Sequence, residues 1–326
     1  MHTLHLSRRA ALACSLAALA SAPAVAQEPS YPSKPITIVG GYPPGGSTDL
    51  TGRVVATELG NRLGVPVVIE NIGGAGGAIG AQKVASAAPD GYTLLVGASN
   101  EIAINKLVTK KVKYDIKDFT AIGLIASQPL VLVASTGSGV KNLAEFTQKV
   151  SKNPGKFSYG SSGVGTSLHL AGEMIKEQGK LFMTHIPYRG VAPLTNDLMG
   201  NNLEYGVFVL SSGLPHIKSG KVIALGTTEA TRSAATPDIP AISESAQYKN
   251  VDIGVWFALM APAHLPKPVF DKLKKALNEA LQAPELRKKL ESSGSTVSSP
   301  SVNIDKFLAA EVAKYKQIVE FAKIEE

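Results

Sequence analysis

The sequence has little of the chemistry on which most enzyme sites depend. It contains a single cysteine, Cys14, so no disulfide can form within the chain. The histidines beyond residue 26 are His169, His185, His216 and His264, and none of them shows a spacing typical of zinc sites. Neither a G-x-x-x-x-G-K-[ST] phosphate loop nor a G-x-S-x-G nucleophile turn occurs. We therefore expect no metal, no cofactor and no catalytic residue.

The content of charged residues is also modest. The formal net charge is +7, with 18% charged residues, and the positive residues are densest at residues 110–113 and 287–289. Short basic runs of this kind are typical of a solvated surface, so we expect no nucleic-acid partner. A mild excess of positive charge favours anionic ligands through a small long-range attraction.

The N-terminus has the pattern of an export signal. Arg8 and Arg9 precede an apolar run over residues 10–20, and the small residues Ala24-Val25-Ala26 follow. This pattern predicts a signal peptide over residues 1–26 that is cleaved near Ala26. The apolar run is shorter than the roughly 20 residues of a membrane-spanning helix. We expect a periplasmic protein, and the sequence leaves both general and twin-arginine export open.

The remaining 300 residues alternate short β-branched runs with helical stretches. This alternation indicates an α/β fold with largely parallel strands. The length exceeds what one small core usually holds and predicts two domains. We expect a discontinuous first lobe over residues 27–129 and 229–326, and an inserted second lobe over residues 130–228, with a ligand cleft between them.

Three glycine-rich turns each lead from a predicted strand into a predicted helix. They lie at residues 43–49, 73–77 and 161–166, and they combine glycine with Ser and Thr hydroxyls. Such turns expose free helix N–H groups, which attract anions. The alternative interpretation is structural, because any α/β protein needs glycine at tight strand-to-helix turns whether or not they bind a ligand. Asp49 is expected to stabilise its own helix end, and His169 could either contact a ligand or make a structural hydrogen bond.

The mature chain resembles the Bug or TctC family of extracytoplasmic solute receptors, which serve tripartite tricarboxylate transporters. The resemblance extends over nearly the whole length and rests on segments that occur in the same order. These are Tyr31-Pro32-Ser33-Lys34-Pro35-Ile36, Tyr42-Pro43-Pro44-Gly45-Gly46-Ser47-Thr48-Asp49, Gly73-Gly74-Ala75-Gly76-Gly77, Ile79-Gly80-Ala81, Pro89-Asp90-Gly91-Tyr92-Thr93-Leu94-Leu95, Tyr159-Gly160-Ser161-Ser162-Gly163, Gly165-Thr166, His169-Leu170-Ala171-Gly172-Glu173, His185-Ile186-Pro187-Tyr188 and Leu214-Pro215-His216-Ile217.

The resemblance implies a two-domain, type II periplasmic-binding-protein clamshell that closes over a small carboxylate, held largely by backbone groups and ordered water. The implied ligand-binding residues are Tyr42, Pro44, Gly45, Gly46, Ser47, Thr48, Gly76, Gly77, Ala78 and Ser99 of the first lobe, and Ser161, Ser162, Gly165, Thr166, Ser167, His169 and Phe208 of the second.

Phe208 marks a departure from the family pattern. Many members of the family carry an acidic residue at this position, which would suit an amine-bearing ligand. Its absence here argues against an amino acid. Phe208 could face an apolar part of the ligand, or it could be a core residue on a buried strand.

The expected function is a monomeric receptor that delivers a small organic carboxylate to membrane subunits of a tripartite tricarboxylate-type transporter. Two alternatives remain. One is a periplasmic sensing subunit that presents the ligand to a signalling partner. The other is a secreted serine hydrolase that uses Ser138, which stands in an S-x-x-K match, or the serine-rich turn at residues 161–166. A serine bonded to a histidine that an acid orients would distinguish the hydrolase.

Overall fold

The computed structural model describes residues 31–322. All strands and helices below belong to one compact unit that begins at Lys34. The predicted signal peptide lies outside the described residues. In the part of the chain that is described, no helix has both the length and the apolar character needed to cross a bilayer.

Strands and helices alternate along most of the chain. The strands are β1 (Ile36–Gly40), β2 (Val67–Asn71), β3 (Thr93–Ala98), β4 (Phe119–Ser135), β5 (Ser158–Ser161), β6 (Thr184–Pro187), β7 (Tyr205–Val209), β8 (Val222–Thr227), β9 (Gly254–Pro262) and β10 (Thr296–Val297). The helices are α1 (Ser47–Leu63), α2 (Ala78–Ala85), α3 (Asn105–Val108), α4 (Leu143–Ser151), α5 (Ser167–Gly179), α6 (Val191–Met199), α7 (Leu210–Lys218), α8 (Lys267–Gln282), α9 (Pro284–Ser292) and α10 (Ile304–Ala322).

The strands form one mixed sheet in the order β2-β1-β3-β9-β4-β7-β5-β6, and both β8 and β10 also pair with β4. At one end β1 runs parallel to β2 and β3, and at the other end β5 runs parallel to β6 and β7. The central pairs β3-β9, β9-β4 and β4-β7 are antiparallel. The fold therefore has two parallel sections joined by an antiparallel centre.

Strand β4 passes through both sections. It pairs with β9 as far as Pro129, which lies opposite Gly254, and from Leu130 onward it pairs with β7 and β8. The change of partner falls where we place the first boundary between the lobes. The boundaries themselves stay a prediction.

Each parallel section has its own buried apolar residues. Ile36, Ile38 and Leu94 are fully buried in the first section. Leu194 and Phe208 are fully buried in the core of the second. Strands covered on both faces carry near-continuous apolar runs, and each large side chain buried in this way contributes about 1.5–3 kcal/mol.

Four strand-to-helix turns lie at the carboxyl ends of parallel strands: β1 to α1, β2 to α2, β5 to α5 and β6 to α6. Ligands of open α/β sheets bind outside these ends. The topology thus places the glycine-rich turns where a ligand site is expected.

Candidate ligand-binding site

The turn between β1 and α1 presents an open helix N-terminus. Gly46 is the N-cap residue, and no side chain caps the first-turn N–H groups. Ser47 and Thr48 are only 8% and 4% exposed. Neither hydroxyl has a hydrogen-bond partner within residues 31–322. Free N–H groups, the helix dipole and two free hydroxyls form a surface that suits a carboxylate.

Asp49 serves the structure of this turn. One carboxylate oxygen, Oδ2, accepts a hydrogen bond from the Gly45 N–H at 2.9 Å. The other, Oδ1, lies 2.9 Å from a guanidinium nitrogen of Arg53. Burial raises the pKa of Asp49, but hydrogen bonds from Arg53, Gly45 and Asn71 outweigh it and leave the pKa below its usual value. Asp49 therefore stays ionised and paired.

A cavity of about 310 Å³ lies in front of the α1 N-terminus. We call it the inner cavity. It is lined by the first turn and by residues of α6 and α7. The predicted site residues that line it are Tyr42, Pro44, Gly45, Gly46, Ser47, Thr48 and Ser162.

A larger cavity of about 1090 Å³ adjoins it, and we call it the outer cavity. Lys111, Lys113 and Arg189 line it, and among the described residues no Asp or Glu does. Arg189 also lines the inner cavity. The predicted site residues along the outer cavity are Tyr42, Pro44, Gly76, Gly77, Ala78 and Ser162.

The second glycine turn has no room for a side chain at Gly77. Gly77 has φ +90°, and a Cβ there would lie 2.9 Å from Oε2 of Glu101 and 3.2 Å from the Tyr42 ring. Glu101 is itself almost fully buried. Burial raises the pKa of Glu101 to about 8, although the Ala98 N–H donates to its Oε1. Glu101 is therefore protonated and neutral at pH 7, and its carboxyl group packs against the turn at Gly77.

Asn100 connects all three turns. Its Nδ2 donates to the Tyr42 hydroxyl at 2.6 Å, and that hydroxyl donates to the Gly76 carbonyl at 3.0 Å. Its Oδ1 accepts from the Ser167 N–H at 2.7 Å. Asn100 also lines the inner cavity. The pattern of glycine-rich turns does not predict this role, because Asn100 follows β3 and lies outside all three turns.

Half of the third turn lines a cavity: Ser162 lines both cavities, and Gly163 and Val164 line the outer one. The other half is occupied with hydrogen bonds inside the turn. The Thr166 hydroxyl donates to the Gly163 carbonyl, and the Gly165 N–H donates to Nδ1 of His169 at 3.0 Å. Between the two uses left open for His169, the structure shows the structural hydrogen bond. The predicted site residues that line neither cavity are Ser99, Ser161, Gly165, Thr166, Ser167, His169 and Phe208.

Two histidines stack behind this turn. The His169 and His185 rings lie 3.8 Å apart, and Nε2 of His185 lies 2.7 Å from the Ser161 hydroxyl. Burial lowers the pKa of His169 to about 4 and that of His185 to about 3, where His169 and Lys176 add to the effect. Both rings are therefore neutral at pH 7.

Of the two interpretations left open for Phe208, the structure shows the core residue. Its side chain is fully buried and packs in the core of the second section with Val131, Leu194 and Leu214. Strand β7 is covered on both faces, so an aromatic ring there fills the core instead of facing a ligand. Ser99 is likewise fully buried.

The structure adds residues of α6 and α7 that our site prediction lacks. They line the inner cavity together with the first turn. One local signal points to them, because Tyr188-Arg189-Gly190 forms a fourth strand–glycine–helix junction between β6 and α6. The added residues include Arg189, Gly190, Val191, Thr195, Asn196, Ser212 and His216.

Comparison with known sequences identifies relatives along nearly the whole chain. The profile of the tripartite tricarboxylate transporter family receptor, TctC, matches residues 51–324. A UPF0065 protein of Bordetella pertussis is 37% identical over 284 residues, which cover 87% of this chain and 88% of that protein. Protein BugT of the same organism is 31% identical over 294 residues, which cover 89% of this chain and 90% of BugT.

Solved structures of similar proteins share the fold. The periplasmic binding protein BugD is 33% identical with a TM-score of 0.85, covering 90% of this chain and 99% of BugD. An R. palustris protein with adipate is 28% identical with a TM-score of 0.87, covering 90% and 99%. MatC from Rhodopseudomonas palustris with bound malate is 28% identical with a TM-score of 0.82, covering 89% and 100%.

These neighbours confirm the predicted two-lobed α/β clamshell of a periplasmic binding protein. They also confirm the resemblance that the glycine-turn segments carry. The chain belongs to the Bug/TctC family of tripartite tricarboxylate transporter receptors.

Proposed function

We propose that this protein captures a small organic carboxylate in the inner cavity, closes over it, and delivers it to the membrane subunits of a tripartite tricarboxylate-type transporter. The observation that carries the proposal is the α1 N-terminus. It has no side-chain cap, and the buried, unpartnered hydroxyls of Ser47 and Thr48 stand beside it in the cavity. Two similar structures hold adipate and malate, which are carboxylates.

The cavity favours an acid without an amine. Among the described residues that line it, none is Asp or Glu, so an ammonium group would find no carboxylate partner. Its walls also include the apolar side chains of Leu168, Val191, Val209 and Val255. A carboxylate with a short apolar body fits this mixture.

Contacts between the two predicted lobes support closure. The first lobe comprises residues 27–129 and 229–326, and the second comprises residues 130–228. Asn100 bonds to Ser167, and a Cβ at Gly190 would lie 3.4 Å from the Pro43 ring. A ligand that contacts both lobes stabilises this closed arrangement. We propose that the monomer acts in the periplasm after removal of residues 1–26.

The sensing alternative uses the same closure and differs only in the partner that reads it. No residue of the site distinguishes the two roles. Co-purification with membrane subunits, in the presence and absence of a bound acid, separates them.

The hydrolase alternative has one supporting contact and several against it. Ser161 lies within hydrogen-bond distance of His185, but Ser161 is fully buried and lines neither cavity. The nearby acid Glu173 approaches His169 at 3.8 Å and bonds to Tyr159 and Lys176. The Ser138 hydroxyl is buried and donates to the Ser135 carbonyl. These features favour binding over catalysis.

The test is a thermal-shift screen of the exported protein, expected to be residues 27–326, against mono-, di- and tricarboxylates, aromatic acids and amino acids. Ligands that bind only the folded state raise its Tm. We expect an organic acid to raise the Tm and amino acids to leave it unchanged. The proposal is contradicted if amino acids alone raise the Tm, or if none of the acids raises it.

A further inference from the structure

We propose that Lys111 and Lys113 form the electrostatic entrance of the site. They draw an anionic ligand into the outer cavity, from which it passes to the inner cavity, and they do not bind it once it is there. This inference rests on the proposed function and adds the route by which the acid arrives. It also gives a role to the basic run at residues 110–113, none of which lines the inner cavity.

The loop after α3 holds both lysines at the outer cavity. Val112 and Tyr114 are buried, whereas Lys111 and Lys113 are exposed. The Tyr114 hydroxyl donates to the carbonyl of Glu101 at 2.7 Å and so fixes this loop to the residues that follow β3. Alternate residues of an extended chain point to opposite sides. The buried pair therefore places the two lysines on one side, where both line the cavity.

Neither lysine is neutralised by a neighbour. Within residues 31–322 neither ammonium group forms an ion pair or a hydrogen bond. By contrast, Nζ of Lys83 lies 2.7 Å from a carboxylate oxygen of Glu70. The nearest acids along the chain are Asp115 and Asp118, which line neither cavity. The two positive charges are therefore available to an anion in the outer cavity.

The charges that line the two cavities are concentrated in the outer one. Lys111, Lys113 and Arg189 line it, and no Asp or Glu does in the part of the chain that is described. In the inner cavity His216 adds no charge at pH 7, because burial and the nearby Lys221 lower its pKa. A cleft lined by charge of one sign raises the association rate of an oppositely charged ligand by about 10–10³-fold. An anion is therefore attracted to the outer cavity first.

The outer cavity is open to solvent and adjoins the inner one. Its lining includes the exposed residues Gly73, Ala75 and Ile79, and Ile79 is 54% exposed. Several residues line both cavities: Tyr42, Pro43, Pro44, Ser162, Arg189 and Gly190. An acid that enters beside the lysines can therefore continue to the uncapped N-terminus of α1.

An entrance residue has a kinetic signature that a binding residue lacks. A charge that attracts the acid only during entry stabilises the transition state for association. Its removal lowers the association and dissociation rate constants by the same factor and leaves Kd unchanged. Removal of a contact to the bound acid instead raises the dissociation rate constant and Kd. Lys111 and Lys113 line the outer cavity only, so we expect the first pattern.

The experiment follows binding by stopped-flow fluorescence of Trp256, the single tryptophan of the chain, and measures Kd by titration calorimetry. Trp256 lies opposite Ser127 on β4, close to the point where that strand changes partner, so its emission should report closure. Adipate and malate are the first probes, because two similar structures hold them. The acid that raises the Tm most in the thermal-shift screen is the third.

The test variant combines Lys111→Glu with Lys113→Glu. At about 0.1 M salt, where charges act over about 10 Å, it should lower the association rate constant about fivefold. At about 1 M salt, where the range is about 3 Å, the difference from wild type should fall below about twofold. Kd should stay within about twofold of the wild-type value at both salt concentrations.

The matched control combines Lys152→Glu with Lys156→Glu. Both lysines are exposed and line neither cavity. Lys156 lies before β5, and the carboxyl end of that strand leads to Ser162. At about 3.3 Å per residue of extended chain, Lys156 is about 20 Å from Ser162, which is about two screening lengths at 0.1 M salt. The control should keep the association rate constant within about twofold of wild type.

Four results overturn the inference while leaving the proposed function intact. They are an unchanged association rate constant at low salt, a loss that persists at high salt, an equal loss in the control, and a Kd that weakens in step with the association rate constant. Failure of every acid to bind contradicts the proposed function and removes the inference with it.

Discussion

The side-chain oxygen of Asn100 accepts a hydrogen bond from the backbone N–H of Ser167 at 2.7 Å, and this bond joins the two parallel sections of the fold. Asn100 follows β3, and Ser167 is the first residue of α5. Because the bond needs no ligand, it stabilises the closed arrangement by itself. The closed state should therefore be populated to some extent before ligand binds.

Asn100→Ala should open the cleft. The lost bond is worth about 1 kcal/mol, which corresponds to about a fivefold weaker affinity for whichever acid the screen identifies. Small-angle X-ray scattering of the ligand-free protein should show a larger radius of gyration. Tyr42→Phe is the comparison, because it removes the bonds to Asn100 and Gly76 but keeps the one to Ser167. An unchanged radius in Asn100→Ala would show that the bond does not control closure.

Gly46→Val should abolish binding and spare the fold. Gly46 has φ −79°, which any residue can adopt, and the nearest atom to an added Cβ is the Pro43 carbonyl oxygen at 3.7 Å. The added methyl groups would occupy the space in which we place the carboxylate of the ligand. We expect at least about a hundredfold weaker binding by calorimetry, a loss of about 2.7 kcal/mol or more. Thr57→Val, on the exposed side of α1, is the control. Survival of the affinity would place the site elsewhere.

Glu101 should make the protein less stable as the pH rises. Burial raises the pKa of Glu101 from 4.5 to about 8. Between these values the folded state keeps a proton that the unfolded state has released, so the free energy of unfolding falls by about 1.4 kcal/mol per pH unit. Urea unfolding of wild type and Glu101→Gln from pH 6.5 to 8 measures the difference. Parallel curves would mean that Glu101 is ionised in the folded protein.

The stacked histidines should have the opposite effect in acid. Burial lowers the pKa of His169 to about 4 and that of His185 to about 3, against 6.5 for an exposed histidine. Below pH 6.5 the unfolded state binds protons that the folded state does not, so stability is lost as the pH falls.

His169→Asn tests this effect, because the side-chain oxygen of asparagine can still accept a hydrogen bond from the Gly165 N–H. It should reduce the pH slope between pH 4.5 and 6.5 by about 1.4 kcal/mol per unit, measured by urea unfolding. A slope equal to that of wild type would contradict the assignment of a neutral His169.

Gly172→Ala should destabilise the second section. A Cβ at Gly172 would lie 2.1 Å from the Tyr159 ring, and that ring is held by the hydrogen bond from its hydroxyl to Glu173 at 2.6 Å. Overpacking of this kind costs about 1–3 kcal/mol. Thermal and urea unfolding would show the loss. Gly46→Ala is the matched control, because it has space and an ordinary φ. Equal stability of the two variants would contradict the packing described here.

Several parts of the fold follow from local sequence. The strands at Ile36–Gly40 and Thr93–Ala98 and the helix at Ser47–Leu63 were predictable, because glycine turns and apolar periodicity are local signals. Strand β9 and helix α7 carry no comparable local signal. Strand β9 is a continuous apolar run, which does not by itself distinguish a strand from a buried helix, and α7 contains Pro215.

The candidate site divides in the same way. The first turn could be read from the chain, since glycine and hydroxyl residues before a helix have a local meaning. Asn100 and His216 could not, because each becomes part of the inner cavity only when distant segments pack together. Arg189 has a local signal, the strand–glycine–helix junction between β6 and α6, but its place in the inner cavity also depends on that packing. Phe208 shows the converse, because the family resemblance left open both a ligand contact and a core position, and packing made it a core residue.

By itself, the sequence determined the α/β class, the family and the three glycine turns, because each depends on residue types that are adjacent in the chain. Only the tertiary structure decided which turns line a cavity, that Asn100 joins the two sections, and that the N-terminus of α6 lies beside the turn that leads into α1. The physical reason is that a ligand site consists of groups from separate strands and helices. Their distances depend on the packing of the whole fold, which no short segment encodes.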